Sequence, residues 1–245
     1  MHDGLAIETQ SLTKVYGHGN TEVIAMHNAS MSVQKGEVVA LLGPSGSGKS
    51  TFLNTIGLIN HPTSGQVKIN GQLVIDGCVS HSNLRTFRRK NIGFVFQKSN
   101  LIPFLSAVEN VQIAMELNDT RSSSARKRAM ELLDYLGVAE RADGLPSALS
   151  GGQQQRVAVA RALANHPSII LADEPTAALD SHRGQQVMEL FAQIAHEQGA
   201  GVVVVTHDQR SLNVFDTIYE MEDGLMRKYR STSPLPSGPP PVPTA

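Results

Sequence analysis

Nine consecutive residues carry the clearest chemistry in this chain: Gly43, Pro44, Ser45, Gly46, Ser47, Gly48, Lys49, Ser50 and Thr51. They fit the phosphate-loop pattern G-x-x-x-x-G-K-[ST], in which backbone N–H groups surround an anion. The pattern needs a strand before it and a helix after it. Val38-Val39-Ala40-Leu41-Leu42 supplies the apolar strand, and residues 51–57 have helix-forming character. Gly43, Gly46 and Gly48 let the backbone turn tightly and approach a phosphate, since no Cβ stands in the way. The helix that follows points unpaired N–H groups and partial positive charge at the same anion. Lys49 is placed to reach the β- and γ-phosphates, and the Ser50 hydroxyl to ligate Mg²⁺.

Two further stretches extend that chemistry. Ile169-Ile170-Leu171-Ala172-Asp173-Glu174 is an apolar strand that delivers two carboxylates to its end. Asp173 fits the carboxylate that holds Mg²⁺, and Glu174 fits a base or polariser for an attacking water. Alone this is equally an acidic turn; beside a phosphate loop it points to hydrolysis rather than simple nucleotide binding. Leu149-Ser150-Gly151-Gly152-Gln153 places a good N-cap, Ser150, ahead of two glycines that let a phosphate approach a helix N-terminus. It reads either as a plain helix cap or as a second phosphate cradle. One chain has no evident need for two cradles, so the second would serve the nucleotide of another copy, with two sites completed only in a dimer.

The elements that must position these residues follow from periodicity. Residues 5–15 and 23–33 alternate with β-formers and are expected beside the phosphate-loop strand, and Tyr16 closes the first of them. Val67-Lys68-Ile69 runs into Asn70-Gly71, a hairpin signal. Residues 82–90 read as a short basic helix and residues 92–96 as a strand ending at Gln97. From residue 107 to about 148 the spacing of Val108, Val111, Ala114, Met115, Ala129, Leu132, Leu133 and Leu136 is helical, with a polar loop at 118–124. A helix at 151–164, a strand at 169–172, a helix at 181–197 and a strand at 202–205 then imply parallel pairing by crossover. Ligand chemistry belongs at the carboxyl ends of such strands, where the phosphate loop, Asp173, Glu174 and His207 all fall. A last strand, 218–221, turns at Asp223-Gly224 into Leu225-Met226-Arg227. The expected fold is α/β, a P-loop NTPase core with a mainly parallel sheet, an antiparallel β edge and a helical subdomain at about 100–150. Residues 1–230 form this domain, and the Ser/Pro-rich stretch 231–245 is expected to be a disordered or extended tail.

Composition sets limits on function. A formal net charge of -1 and a pI of about 6.8 argue against general nucleic-acid binding. The single cysteine, Cys78, cannot form an internal disulfide, is compatible with a reducing compartment, and is expected to be a small buried or half-buried filler. No apolar run approaches the roughly 18 residues that a membrane span needs, and no basic segment followed by an apolar one opens the chain. A cytoplasmic protein reaching the membrane through a partner chain is expected. Arg85, Arg88, Arg89 and Lys90, and likewise Arg126, Lys127 and Arg128, face either a partner or lipid head groups, or simply water. Leu101, Ile102, Pro103, Phe104 and Leu105 form an apolar cluster that is either packed inward or offered to another protein.

With LSGGQ at 149–153 behind a phosphate loop, the chain resembles the ATP-binding subunits of ABC transporters over roughly residues 5–228. That resemblance implies ATP and Mg²⁺ as ligands and assigns roles to single residues. Tyr16 looks like the aromatic that stacks on adenine, although it could be an ordinary strand-end aromatic. Gln97 looks like the glutamine that joins the Mg²⁺ site to the helical lobe, Asp180 like part of a loop that crosses to the partner copy, and His207 like a histidine that senses the γ-phosphate. The implied catalytic set is Glu174, His207, Lys49 and Gln97, with Ser50, Gln97 and Asp173 toward the metal. Phe94-Val95-Phe96-Gln97, residues 100–104, Asn110-Val111 and residues 173–180 resemble the lipoprotein-release and macrolide-export branch. Residues 104–107, 110–114 and 206–208 are closer to its heterocyst-exporter members. The resemblance implies an ATP-dependent homodimer that energises a separate membrane permease, often with a periplasmic adaptor, from the cytoplasmic face of the membrane. A relative that regulates an extracytoplasmic enzyme without moving a solute is the alternative. Chromosome and translation ATPases fit less well, because neither a long coiled coil nor a second cassette is present.

Overall fold

In a computed structural model, which describes residues 4–177, 179, 181–207 and 209–230, the chain forms two sheets and a helical lobe. The elements in order are β1 (Leu5–Tyr16), β2 (Val23–Gln34), β3 (Val38–Leu42), α1 (Lys49–Ile56), β4 (Ser64–Ile69), β5 (Gln72–Asp76), β6 (Val79–Ser80), α2 (Leu84–Asn91) and β7 (Ile92–Val95). Then follow α3 (Ala107–Glu116), α4 (Ser122–Tyr135), α5 (Gly151–Leu163), β8 (Ile169–Asp173), α6 (Ser181–Gln198), β9 (Gly201–Val205), β10 (Thr217–Glu222) and β11 (Leu225–Arg230). A 3₁₀ segment, Gln209–Val214, precedes β10.

The central sheet has the order β11-β10-β3-β9-β8-β7, parallel throughout except for the antiparallel β10–β11 hairpin. Its middle strands are apolar on both faces, as a parallel strand covered from both sides must be. Alternation then sorts each strand between two cores. Val38, Ala40, Ile170, Ala172, Val202 and Val204 join the helical side with Phe191 of α6 and Val157 of α5. Val39, Leu41, Ile169, Leu171, Val203 and Val205 join the other side with Phe52 and Leu53 of α1.

The second sheet, β2-β1-β4-β5-β6, is antiparallel throughout. This corrects the expectation that the first two strands lie beside the phosphate-loop strand. β3 is flanked by β9 and β10 instead, while β1 and β2 pair with each other and cover the face of the central sheet through Ile7, Met26, Met31 and Val33. Their half-polar alternation suits a sheet with one wet face. Asn70-Gly71 makes the two-residue β4–β5 turn, both residues at positive φ as a type I′ turn demands.

The lobe between β7 and β8 is helical. α3 starts at a reciprocal cap in which the Ser106 hydroxyl accepts from the Glu109 N–H and Glu109 accepts from the Ser106 N–H. α4 begins at Ser122, so residues 122–124, expected in a loop, form its first turn, where serines are tolerated and the Ser122 hydroxyl meets the Gln112 amide at 2.8 Å. Two other readings change. Cys78 is exposed on the turn between β5 and β6, not buried. Arg88 and Arg89 are neither a free head-group surface nor a wholly solvated face. Each donates to a backbone carbonyl, Arg88 to Leu58, just past the end of α1, at 2.8 Å and Arg89 to Leu117, the residue capping α3, at 2.7 Å. Among the described residues no helix is long and apolar enough to cross a membrane, and the stretch 231–245 lies outside them.

Lobe and sheet are in backbone contact at Gly93 of β7, where an added Cβ would run into the Ala162 carbonyl oxygen on α5. Gly93→Ala should therefore separate strand and helix and cost about 1–3 kcal/mol, read as a lower urea midpoint with an unchanged slope. An unchanged midpoint would mean that the two elements do not bear on each other there.

Candidate active site

The phosphate loop is shaped by its neighbours as much as by its own glycines. At Gly43 (φ 143°) a Cβ would collide with the Met221 carbonyl oxygen at the end of β10, and at Gly48 (φ 103°) with the Ala25 carbonyl oxygen of β2. From the β10–β11 turn the Gly224 N–H donates to the Ser47 carbonyl at 3.0 Å. Lys49 folds back over the loop, its ammonium donating to the carbonyls of Gly43 at 2.8 Å and Pro44 at 2.6 Å. Burial lowers its pKa, against the pull of Glu174 and Asp173. The ammonium is thus held across the loop by two of the loop's own carbonyl oxygens.

Facing it is the end of β8. The Ser50 hydroxyl donates to Asp173 Oδ2 at 3.3 Å. Burial raises the Asp173 carboxyl above the usual range; the Ser50 bond opposes this, Glu174 adds to it and Lys49 opposes it. Glu174 then leaves the strand at φ 43°, a left-handed conformation uncommon for a non-glycine residue, with its N–H bonded to the Val205 carbonyl at 2.9 Å. Both of its carboxylate oxygens are engaged. Oε2 accepts from the Gln97 amide at 3.4 Å, and Oε1 lies 3.1 Å from His207 Nδ1.

A cleft of about 670 Å³ brings together Gly43, Pro44, Ser45, Gly46, Gly48, Lys49, Ser50 and Thr51 with Gln97, Asp173, Glu174 and His207. Ser47 supports it from behind. The cleft has a wall that sequence reading missed: Val23, Ile24 and Ala25 of β2. Val23 and Ile24 are 61% and 60% exposed, costly for β-branched side chains with nothing to cover. Two apolar residues in succession on a strand with one buried face were the available signal. Tyr16 does not line the cleft; it pairs with Val23 across the β1–β2 ladder and stands at the rim, 43% exposed.

Ser150, Gly151, Gly152 and Gln153 lie elsewhere. They cap α5, with the Gln153 N–H donating to the Ser150 hydroxyl at 3.3 Å and the Ser150 N–H donating to the Gln153 side chain at 2.9 Å. None of the four lines the phosphate cleft, and the space beside Gly151 is open. Asp180 and Asp208 lie outside the described residues.

Between cleft and cap runs the segment 96–106, fastened by residues that the sequence did not single out for this purpose. Buried Asn110 donates to the Ile102, Leu105 and Ser106 carbonyls and accepts from the Ile102 N–H at 2.7 Å. From α5, Arg161 donates to the carbonyls of Ser99 at 2.9 Å and Asn100 at 2.8 Å, and Gln155 to that of Phe96 at 3.4 Å. The apolar cluster divides: Leu101 packs on the helical core, whereas Phe104 is 78% exposed.

Residues 26–177 match the family model described as ABC transporter. The chain belongs to the ABC transporter family. It is 46% identical over 222 residues to an uncharacterized ABC transporter ATP-binding protein of Methanocaldococcus jannaschii, MJ0796, covering 89% of this chain and 94% of that one. It is 40% identical to the lipoprotein-releasing system ATP-binding protein LolD of Bacteroides thetaiotaomicron, covering 91% and 99%. It is 44% identical to the macrolide export ATP-binding/permease protein MacB of Hyphomonas neptunium, over 89% of this chain but 33% of that larger protein. Among solved structures, the dimeric post-hydrolysis state of the cassette MJ0796 with ADP and Pi superposes with a TM-score of 0.84 at 42% identity, covering 93% and 99%. This ABC chain is the ATP-binding, ATP-hydrolysing subunit of a transporter, of the branch that includes the LolD and MacB ATP-binding components.

Asp173 gives the site a pH signature. A raised carboxyl pKa means that folding favours the protonated form, so ionised Asp173 weakens the nucleotide-free fold above that pKa, and the penalty fades as pH falls through it. Asp173→Asn should melt about 2 °C higher than wild type at pH 7.5 without nucleotide, with the gap closing toward the carboxylate range. A gap that widens on acidification would contradict the burial argument.

Proposed function

We propose that this subunit binds MgATP in the 43–51 cleft and pairs head to tail with a second copy of itself. Ser150, Gly151, Gly152 and Gln153 of each copy then close over the nucleotide of the other. The observation that carries this reading is the separation within one chain: the phosphate cleft is assembled, yet Ser150, Gly151, Gly152 and Gln153 at the start of α5 take no part in lining it. That a similar cassette is known as an ADP- and Pi-bound dimer supports the arrangement.

In the closed pair Lys49 exchanges the Gly43 and Pro44 carbonyls for β- and γ-phosphate oxygens, and the loop amides neutralise the charge that develops in the transition state. Ser50, Asp173 and Gln97 are hard oxygen donors suited to Mg²⁺, which would offset phosphate charge there. Glu174 orients the attacking water and accepts its proton as the new oxygen–phosphorus bond forms and the bond to the β–γ bridging oxygen breaks. Gln97 and His207, each already on one Glu174 oxygen, set the carboxylate's aim. Tyr16 stacks on the adenine at the cleft rim, and Asp180 contributes to the contact between copies. Residues 1–230 act as one ATPase domain.

Hydrolysis drives a separately encoded membrane permease, working in export from the cytoplasmic face. Exposed Phe104 is the contact for it, on a segment that links it back to Gln97. The names of the LolD and MacB relatives, a lipoprotein-releasing system and a macrolide export protein, support the direction of transport.

Glu174→Gln should retain ATP binding, lose at least about 100-fold in hydrolysis, and elute as an ATP-dependent dimer by light scattering. Adding Gly151→Asp, which sets a carboxylate against the partner's phosphate, should return it to monomer. Hydrolysis at the wild-type rate would remove Glu174 from its role, and a persistent dimer in the double variant would overturn the head-to-tail arrangement. Phe104→Ser should leave folding and basal hydrolysis intact while abolishing co-purification with the permease; undiminished co-purification would place the contact elsewhere.

A further inference from the structure

We infer that Lys14 is a positioning residue for the nucleobase, holding the Tyr16 ring at the cleft rim from one side so that its other face is presented to adenine. The inference rests on the proposed stacking role of Tyr16. Lys14 and Tyr16 are two apart on β1 and so project to the same face of the strand. The Lys14 ammonium lies 5.0 Å from the centroid of the Tyr16 ring, within the range of a cation–π contact. The same ammonium is anchored, donating to the His61 carbonyl at 2.8 Å.

The anchor lies on a segment that returns from the phosphate helix. α1 begins at Lys49 and ends at Ile56, and the chain then passes His61 to Thr63 before entering β4. Thr63 holds the end of β1 on both sides of Lys14: its N–H donates to the Thr13 carbonyl at 2.7 Å, and its hydroxyl accepts from the Val15 N–H at 3.0 Å. Three bonds in a row thus fix the strand end that carries Tyr16 against the chain leaving α1. The strand end that carries the ring is thereby tied, through residues 57–63, to the helix that begins at Lys49.

A lysine over one face leaves one face of the ring for a ligand. Its charge also draws electron density toward the covered side, so the open side is better matched to an electron-rich purine. Without the ammonium an exposed tyrosine at a strand end recovers its rotamer freedom, and stacking must reimpose order that is now built in.

The test separates base from phosphate by measuring calorimetric affinities for ATP and for inorganic tripolyphosphate on the full chain. Lys14→Met should weaken ATP about 3- to 5-fold, leave tripolyphosphate unchanged and, with the His61 bond lost, lower the melting temperature by no more than about 2–4 °C. Lys14→Arg, which can still reach both ring and carbonyl, should stay near wild type. Tyr16→Ala should weaken ATP about 10-fold, again without effect on tripolyphosphate, and adding Lys14→Met to it should cost nothing more. Equal loss for both ligands in Lys14→Met, or no loss for either, would overturn the role of Lys14 while Tyr16→Ala still behaves as stated. If Tyr16→Ala leaves ATP binding intact, the stacking reading itself falls and Lys14 with it. The sequence contains no tryptophan, so Tyr16→Trp gives a single-Trp reporter. Quenching of its emission by ATP but not by tripolyphosphate should weaken when Lys14→Met is added.

Discussion

Backbone against backbone, at contact distances that admit no side chain, is the constraint on which the phosphate loop depends. Gly43 lies on the Met221 carbonyl, Gly48 on the Ala25 carbonyl, and the Gly224 N–H reaches the Ser47 carbonyl. The three supports come from the end of β10, from β2 and from the β10–β11 turn, so the loop is shaped by segments near both ends of the described chain. The sheet order explains how this is possible. β3 is flanked by β9 and β10, which bring Val205 and Met221 to the same edge as Leu42. The loop backbone is therefore held by the rest of the fold, the kind of pre-organisation that electrostatic stabilisation requires.

That same edge gathers the acid side of the site. A parallel sheet points every strand's carboxyl end one way, so Asp173 from β8 and His207 after β9 meet the loop after β3 without any long connection. Glu174 completes the turn out of β8 at a positive φ that its environment must enforce. Its N–H bond to Val205 ties the strained residue to the neighbouring strand, so the distortion is held by the sheet rather than by the loop alone.

Much of this was legible in the sequence because the pattern and the physics coincide. The buried strands β3, β8 and β9 are short apolar runs, and residues at or just beyond their ends are the ones the cleft brings together. The hairpin at Asn70-Gly71 and the reciprocal cap at Ser150 and Gln153 are local, and local rules suffice for them. What escaped was set by tertiary partners. Nothing within β1 or β2 states that they leave the β3 sheet and lie across its face. Arg88 and Arg89 look like any basic helix until Leu58 and Leu117 bring their carbonyls to them. Cys78 looks like filler until the β5–β6 turn carries it outward. Asn110 and Arg161 show no special spacing, since their role is to satisfy the carbonyls of a segment that forms no ladder of its own.

That last arrangement has a mechanical consequence. A strand in a sheet releases its neighbours cooperatively, because each ladder bond supports the next. Residues 96–106 are instead held by separate clasps, from Gln155 at one end, Arg161 along the middle and Asn110 at the other. Each neutral clasp is worth on the order of 1 kcal/mol net, somewhat more for the guanidinium. Because no bond of the set is a neighbour in a ladder, the loss of one does not by itself remove the next. The segment's shape is therefore written in the side chains of α3 and α5, and a substitution at any one of them acts on the backbone locally, without the strand-wide effect that a broken ladder has.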